Sequence, residues 1–289
     1  MYNYIYGTKK QILENPINFL IFVKRLLPKY VNSLPDSAVV SFYEILKNNN
    51  KNSNGIVETG VGASTVILFF FSYYFKKKLY TFDFNPDKIS LIRKVIIESI
   101  CLPLNININK YWQPIASDSL DKYTGIRCLK EFKKKVNFGF FDSAHSLNHL
   151  IKEIDVFCDI STKNFIIGID DGEKKDNREF HYDYVNMIRN KIGLKNIKNP
   201  TFNKCNFFYK EIETYLKKSF KKTEKIKTFF EKNFKNDLYF NYFGNDISYV
   251  GIEDKKKIDN FKYKNIFTGK KKGFLNVYKN RICFFKIKR

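Results

Sequence analysis

The sequence predicts an α/β domain, a mostly parallel sheet doubly wound with helices on both faces. Three observations carry this expectation. From Gly55 onward, short apolar runs alternate with helix-length segments, as in strands joined by crossover helices. A glycine pair, Gly60 and Gly62, stands between the first apolar run and the helix pattern that follows it. Several runs end on an acidic residue: Asp83, Asp142 and Asp170.

The chain of 289 residues suffices for one large domain with additions, and its 44% hydrophobic and 17% aromatic content fills a core, which argues against general disorder. Residues 17–27 read as a short amphipathic helix stopped by Pro28. A second helix starts after Pro35 with Asp36 or Ser37 as N-cap and carries Val39, Val40, Phe42, Tyr43, Ile45 and Leu46. Asn48–Asn54 is a polar loop.

Then the alternation begins. Gly55–Glu58 is a strand and Ser64–Phe75 a helix; Leu79–Asp83 is a strand and Lys88–Ile100 a helix. Ile106–Ile108 reads as a weak strand and Val136–Asp142 as a strong one, followed by a helix from Ser146 to about Cys158. Phe165–Asp170 is another strand and Tyr182–Lys191 another helix. Beyond residue 200 the rhythm changes. Glu211–Phe234 reads as one long basic helix, and Gly273–Lys288 as a hairpin turning near Lys279-Asn280. The expected organisation is a helical cap at 1–54, a core at 55–199 and a basic C-terminal elaboration at 200–289 that completes the domain.

Charge and cysteines narrow the setting. The formal charge is +23, and from Lys195 onward 25 Lys+Arg stand against 9 Asp+Glu, leaving +7 for the rest. An anionic partner such as nucleic acid is one reading. The other is an AT-rich coding sequence, which enriches Lys, Asn, Ile and Phe together. The five cysteines lack C-x-x-C spacing, so neither a disulfide frame nor a zinc knuckle is expected. The longest apolar runs, Phe19–Val23 and Val66–Phe75, fall short of the roughly 18 residues of a membrane span. With a polar N-terminus, this points to a soluble, cytoplasmic protein without a transmembrane segment.

Glu58-Thr-Gly-Val-Gly-Ala-Ser-Thr65 follows a strand and opens a helix. Its glycines allow a tight turn and close approach of a ligand. Asp83 ends the next strand, where a carboxylate can accept two hydrogen bonds from ribose hydroxyls. A dinucleotide site usually wants a third glycine where Thr65 stands, so that pyrophosphate can rest on the helix N-terminus. Glu58 suits a cationic cofactor better than a pyrophosphate.

Residues 56–88 resemble motif I, and the acidic strand end after it, of class I S-adenosylmethionine (SAM) dependent methyltransferases, which have a Rossmann-like fold. Phe141-Asp-Ser-Ala-His-Ser-Leu-Asn-His-Leu-Ile-Lys-Glu153 is similar to a signature of the cephalosporin-hydroxylase-like and macrocin-type metal-dependent O-methyltransferase group, and Ile167-Gly-Ile-Asp-Asp-Gly172 matches its later acidic strand end. The resemblance covers about residues 36–195. It implies that Glu58, Gly60, Gly62 and Ser64 surround the methionine part of SAM, that Asp83 holds the ribose, and that Ser117-Asp118 lie where adenine is contacted. Asp-Asp stands where some members carry Glu-Asp.

Asp142, Asp170 and Asp171 end adjacent strands at the sheet edge where open α/β sheets bind ligands. Three clustered carboxylates repel one another unless protons or a cation intervene, and hard oxygen ligands suit Mg²⁺ or Mn²⁺. Capping of the following loops is the plainer role for the same residues. His145, three residues past Asp142, has the chemistry of a general base. His145, His149 and Glu153 have the spacing of one helical face, which also fits zinc, and His149 alone reads as structural. His181 opens the helix after the acidic loop. The implied reaction is methyl transfer from SAM to a hydroxyl of a sugar, glycan or small metabolite, with Asp142 and His145 at the reacting oxygen. RNA ribose methylation through the basic C-terminal region is the first alternative, and a non-catalytic binding scaffold the second. No Asn/Asp-Pro-Pro-Tyr motif of base N-methylation is present. Acceptor and oligomeric state stay open.

Overall fold

The computed structural model describes residues 7–14, 16–28, 31–32, 34, 37–48, 54–144, 146–170, 194–195, 209–226 and 282–289. Its strands are β1 (Gly55–Thr59), β2 (Leu79–Asp83), β3 (Trp112–Ala116), β4 (Val136–Phe141), β5 (Ser161–Ile169), β6 (Lys222–Ile226) and β7 (Cys283–Lys288). They form one sheet in the order β3-β2-β1-β4-β5-β7-β6. The first five run parallel, β7 is antiparallel to β5, and β6 is antiparallel to β7. The fold is Rossmann-like, and its winding reverses between β1 and β4.

Besides shorter helical turns, the described helices are α1 (Lys9–Glu14), α2 (Pro16–Arg25), α3 (Ser37–Asn48), α4 (Ala63–Tyr74), α5 (Pro86–Ile96), α6 (Leu147–Ile160) and α7 (Tyr209–Ser219). Successive strand residues serve opposite faces. Ile56, Phe140, Ile166 and Phe284 enter a core with α1 to α5. Their neighbours Val57, Phe141, Ile167 and Phe285 enter a second core with α6 and α7. Burial on both faces is why these strands read as unbroken apolar runs. Phe42 of α3 shows how the N-terminal helices join the sheet, with its ring edge-on to those of Phe140 and Phe284.

Local chemistry explains the element boundaries. The Asn85 side chain accepts from the Lys88 amide, and Pro86 follows at N1, so α5 starts two residues before the predicted Lys88. After Ile96 the chain continues as a π-turn, Ile97–Cys101. Ser146 caps α6 through the His149 amide. No described helix is long and apolar enough to cross a membrane.

Three sequence expectations are corrected. The predicted strand Ile106–Ile108 is instead the approach to a helical turn, Ile108–Tyr111, started by the Asn107 side chain accepting from the Asn109 amide. The third strand is Trp112–Ala116, paired with β2 in the register Leu79↔Trp112. The helix predicted over 211–234 ends at Ser219. The Thr223 hydroxyl reaches the carbonyls of Leu216 and Phe220, at 3.1 and 2.8 Å, and Lys222–Ile226 pairs with β7 instead. The polar N-terminal stretch contains a helix, α1, that composition did not suggest. The predicted helix 182–191, the turn at 279–280, the Asp36 cap and the rest of the long helix lie outside the described residues.

Candidate cofactor and acceptor site

Backbone bonds between neighbouring strand ends build the site. The Gly60 amide donates to the Phe82 carbonyl, Asp142 to Thr59, Asp170 to Phe141 and Ser117 to Asp83. Gly60, Asp83, Ser117, Asp142 and Asp170 therefore stand along one rim, the C-terminal edge of the sheet. The winding reverses between β1 and β4, the position at which such sheets take ligands, and Gly60 and Asp142 end those two strands.

Gly60 has φ +82°, and a Cβ there would stand 1.9 Å from the Asp142 carbonyl oxygen. No other residue type fits that turn. Gly62 lies beneath the segment before α3, since its Cβ would stand 3.3 Å from the Val31 carbonyl oxygen. The Thr65 hydroxyl accepts the Gly62 amide at 3.0 Å, so one donor at the start of α4 is satisfied within the loop.

Glu58 is fully buried. Its Oε2 accepts from the Thr81 hydroxyl at 3.0 Å, and Thr81 in turn accepts from the Trp112 indole at 2.9 Å. Burial pushes the Glu58 carboxyl from 4.5 up to about 7, against the lowering influence of the Ser64, Thr65 and Thr81 hydroxyls and of Lys88. The Ser64 and Thr65 hydroxyls lie near enough for that influence, yet neither completes a hydrogen bond to Oε1. Glu58 Oε1 and Ser64 Oγ are both buried without a partner. An orphaned carboxylate oxygen and hydroxyl beside the glycine turn fit a cationic ligand group.

An acid whose folded pKa is raised holds its proton more tightly when folded. Glu58 therefore withdraws stability as pH rises from about 4.5, and the loss is complete above about 7. That shift corresponds to on the order of 3 kcal/mol at about 1.4 kcal/mol per pH unit. Denaturant titrations should show this decline in the wild type and a flatter profile in Glu58→Gln, with the variant more stable at pH 8. Parallel profiles would show that Glu58 is not the group responsible.

Asp83 is 7% exposed. Its Oδ2 accepts the Val61 amide at 2.7 Å and pairs with Lys88 at 3.4 Å, and its Oδ1 accepts the Asn85 amide at 2.8 Å. A carboxylate has about four acceptor positions. Three are engaged, so the expectation of two bonds to ribose hydroxyls is reduced to one while Lys88 stays in place. Ser117 donates to the Asp118 carbonyl and pairs with the Thr124 hydroxyl, and Asp118 accepts the Leu120 amide, so that loop is held by its own turns.

Asp142 and Asp170 lie on neighbouring strand ends, as expected, with Asp170 buried. Asp171, His145 and His181 lie outside the described residues. Among the described residues no group of three His, Cys, Asp or Glu side chains is placed to hold a metal ion. Asp142 and Asp170 are two of the three expected carboxylates, and the third falls outside this search. Of the predicted face of His145, His149 and Glu153, the last two are described. Helix α6 begins at Leu147 behind the Ser146 cap and carries His149 and Glu153 one turn apart.

Sequence reasoning missed how Glu153 is used. It is fully buried, and its Oε1 accepts from the hydroxyls of Ser119 and Ser143 and faces His149 Nε2 at 3.3 Å. Glu153, as hydrogen-bond partner and as charge, raises the His149 pKa; Asp118 adds to this, while burial and Lys152 oppose it. The i,i+4 His-Glu spacing was the only signal in the sequence.

No family model matches the chain, and no curated protein sequence matches it. Among solved structures it is similar to an O-methyltransferase from Bacillus cereus in complex with SAH, at 14% identity and TM-score 0.47, over 78% of this chain and 91% of that one. It is similar to an SAH-bound methyltransferase from Podospora anserina at 12% identity and TM-score 0.45, over 73% and 81%. It is also similar to a TDP-rhamnose 3'-O-methyltransferase of calicheamicin biosynthesis at 14% identity and TM-score 0.40, over 56% and 74%. At this distance a likeness does not carry function.

Proposed function

We propose that the chain is a SAM-dependent methyltransferase that acts on a hydroxyl oxygen of a sugar, glycan or small metabolite. One observation carries the reading: the glycine turn is packed against the end of β4 beside a buried Glu58 whose Oε1 has no partner. A pyrophosphate would further oppose ionisation of that carboxyl, and Thr65 already occupies one amide at the helix start. SAM supplies a methyl group on a sulfonium and carries an ammonium, both cationic, and needs no phosphate cradle.

In this reading Glu58 and Ser64 receive the amino-acid end of the cofactor, Asp83 takes a ribose hydroxyl, and the Ser117-Asp118 turn borders the adenine. The acceptor oxygen approaches from the β4 and β5 ends, bordered by Asp142 and Asp170. The oxygen–carbon bond forms as the carbon–sulfur bond breaks. The hydroxyl proton passes to His145, or to the Asp142 carboxylate. Holding oxygen, carbon and sulfur in line is the main contribution, and well-oriented intramolecular reactions gain about 7–11 kcal/mol this way. Mg²⁺ or Mn²⁺ beside Asp142, Asp170 and Asp171 would be a second contribution.

RNA methylation is the competing substrate class, and exposed Lys218, Lys221 and Lys222 favour it. One assay separates these readings. Calorimetry should show micromolar binding of SAH, and methyl-labelled SAM should label a glycan or metabolite fraction rather than RNA. Label in RNA alone moves the substrate class. Cofactor binding without transfer leaves a scaffold. EDTA that leaves the rate intact removes the metal. Binding of NAD in place of SAH overturns the whole reading.

A further inference from the structure

The loops after β3 and β4 are joined through one side chain of α6. The loop after β3 carries Ser117-Asp118 toward the cofactor side, and its Ser119 hydroxyl turns inward. The loop after β4 carries Asp142 toward the acceptor side, and its Ser143 hydroxyl turns inward as well. Both hydroxyls donate to the same oxygen of one side chain, Glu153 Oε1, with Ser143 at 2.8 Å. His149, one turn earlier on α6, reaches that oxygen at 3.3 Å and the Ser119 hydroxyl at 3.2 Å. Glu153 Oε2 is buried without a partner.

A fully buried acid is an expensive way to fill a core, and an apolar residue would pack there without that burden. The arrangement makes sense as a tie. One carboxylate oxygen with three polar neighbours fixes three segments against one another. Those segments come from three parts of the chain: residues 119, 143, and 149 with 153. Neither loop can shift outward without giving up its bond to Glu153, and the abandoned partner would stay buried. Asp118 also acts on His149, so the cofactor-side turn and the helix are electrostatically linked.

We propose that Glu153 is a positioning residue that locks the cofactor-side loop and the acceptor-side loop into one unit, with His149 as its clamp. It touches neither ligand and acts through Ser119 and Ser143. The inference rests on the methyltransferase reading only for its cofactor readout.

The experiment is hydrogen exchange on the ligand-free protein, with SAH calorimetry in parallel, for the wild type, Glu153→Gln, Ser119→Ala and Ser143→Ala. Gln keeps the shape of Glu and an acceptor oxygen, but it removes the charge that makes both serine bonds strong. In Glu153→Gln, exchange should rise together, roughly tenfold, in peptides covering 117–126 and 142–146, with β1 and β4 unchanged. Ser119→Ala should loosen the first peptide far more than the second, and Ser143→Ala the reverse. SAH affinity should fall roughly tenfold in Glu153→Gln. Exchange that rises in one loop only, in neither, or uniformly across the domain overturns the proposal. If both loops loosen together while the wild type itself binds no SAH, the tie stands and the cofactor reading falls.

Discussion

Gly60→Ala is expected to abolish SAH binding and to lower the melting temperature of the protein by several degrees. The backbone at this position has φ +82°, where a side chain is strained by about 1–3 kcal/mol before any contact is considered. The added carbon would stand 1.9 Å from a backbone oxygen, that of Asp142, which cannot rotate aside. The turn must therefore move, and it moves where a ligand would lie. Asp142 is hydrogen-bonded through its amide to Thr59, so the disturbance reaches the end of β4 as well. Differential scanning fluorimetry and calorimetry check both parts. A variant with unchanged melting temperature and SAH affinity would mean that the glycine turn is not the ligand cradle.

Asp83→Ala has the second largest expected effect. The substitution leaves the Val61 amide without its 2.7 Å acceptor and the Asn85 amide without its 2.8 Å acceptor. An unsatisfied buried donor costs about 1–3 kcal/mol. Lys88 loses its carboxylate partner in the same step, which leaves more positive charge beside a cationic ligand. SAH affinity should fall roughly a hundredfold, and stability should fall with it. Asp83→Asn should recover little, because its amide group turns a donor toward one of two amides that need an acceptor. Asp83→Glu should recover part of the stability if the longer arm can still reach Val61. Equal affinity in the wild type and Asp83→Ala would remove Asp83 from the site.

Legibility in the sequence followed the range of the interactions involved. The Gly60-Gly62 turn was readable because its chemistry is local: strand, glycines, helix and an acid ending the next strand all lie between residues 55 and 83. The start of α6 was readable for the same reason, with Ser146 capping the helix three residues ahead of His149. Strand β3 was not readable. Trp112-Gln-Pro-Ile-Ala116 contains Pro114 and lacks a clean pattern. It is a strand because it occupies the sheet edge, where a proline is tolerated, and because Trp112 donates to Thr81 on β2. The apolar period of 211–234 continued past the true helix end, and only pairing with β7 set the boundary.

The sequence by itself determined the parallel α/β core, the glycine turn and the acids at the strand ends, because backbone preference, side-chain periodicity and capping act over a few residues. Tertiary structure alone decided how those acids are used. Asp83 is largely engaged by its own protein, Glu58 lies buried with one oxygen unpartnered, and Glu153 gathers two serines from loops 34 and 10 residues away. Such convergence depends on strand order and register, which bring distant segments to one rim, and on burial, which leaves each polar group dependent on the partner it meets there.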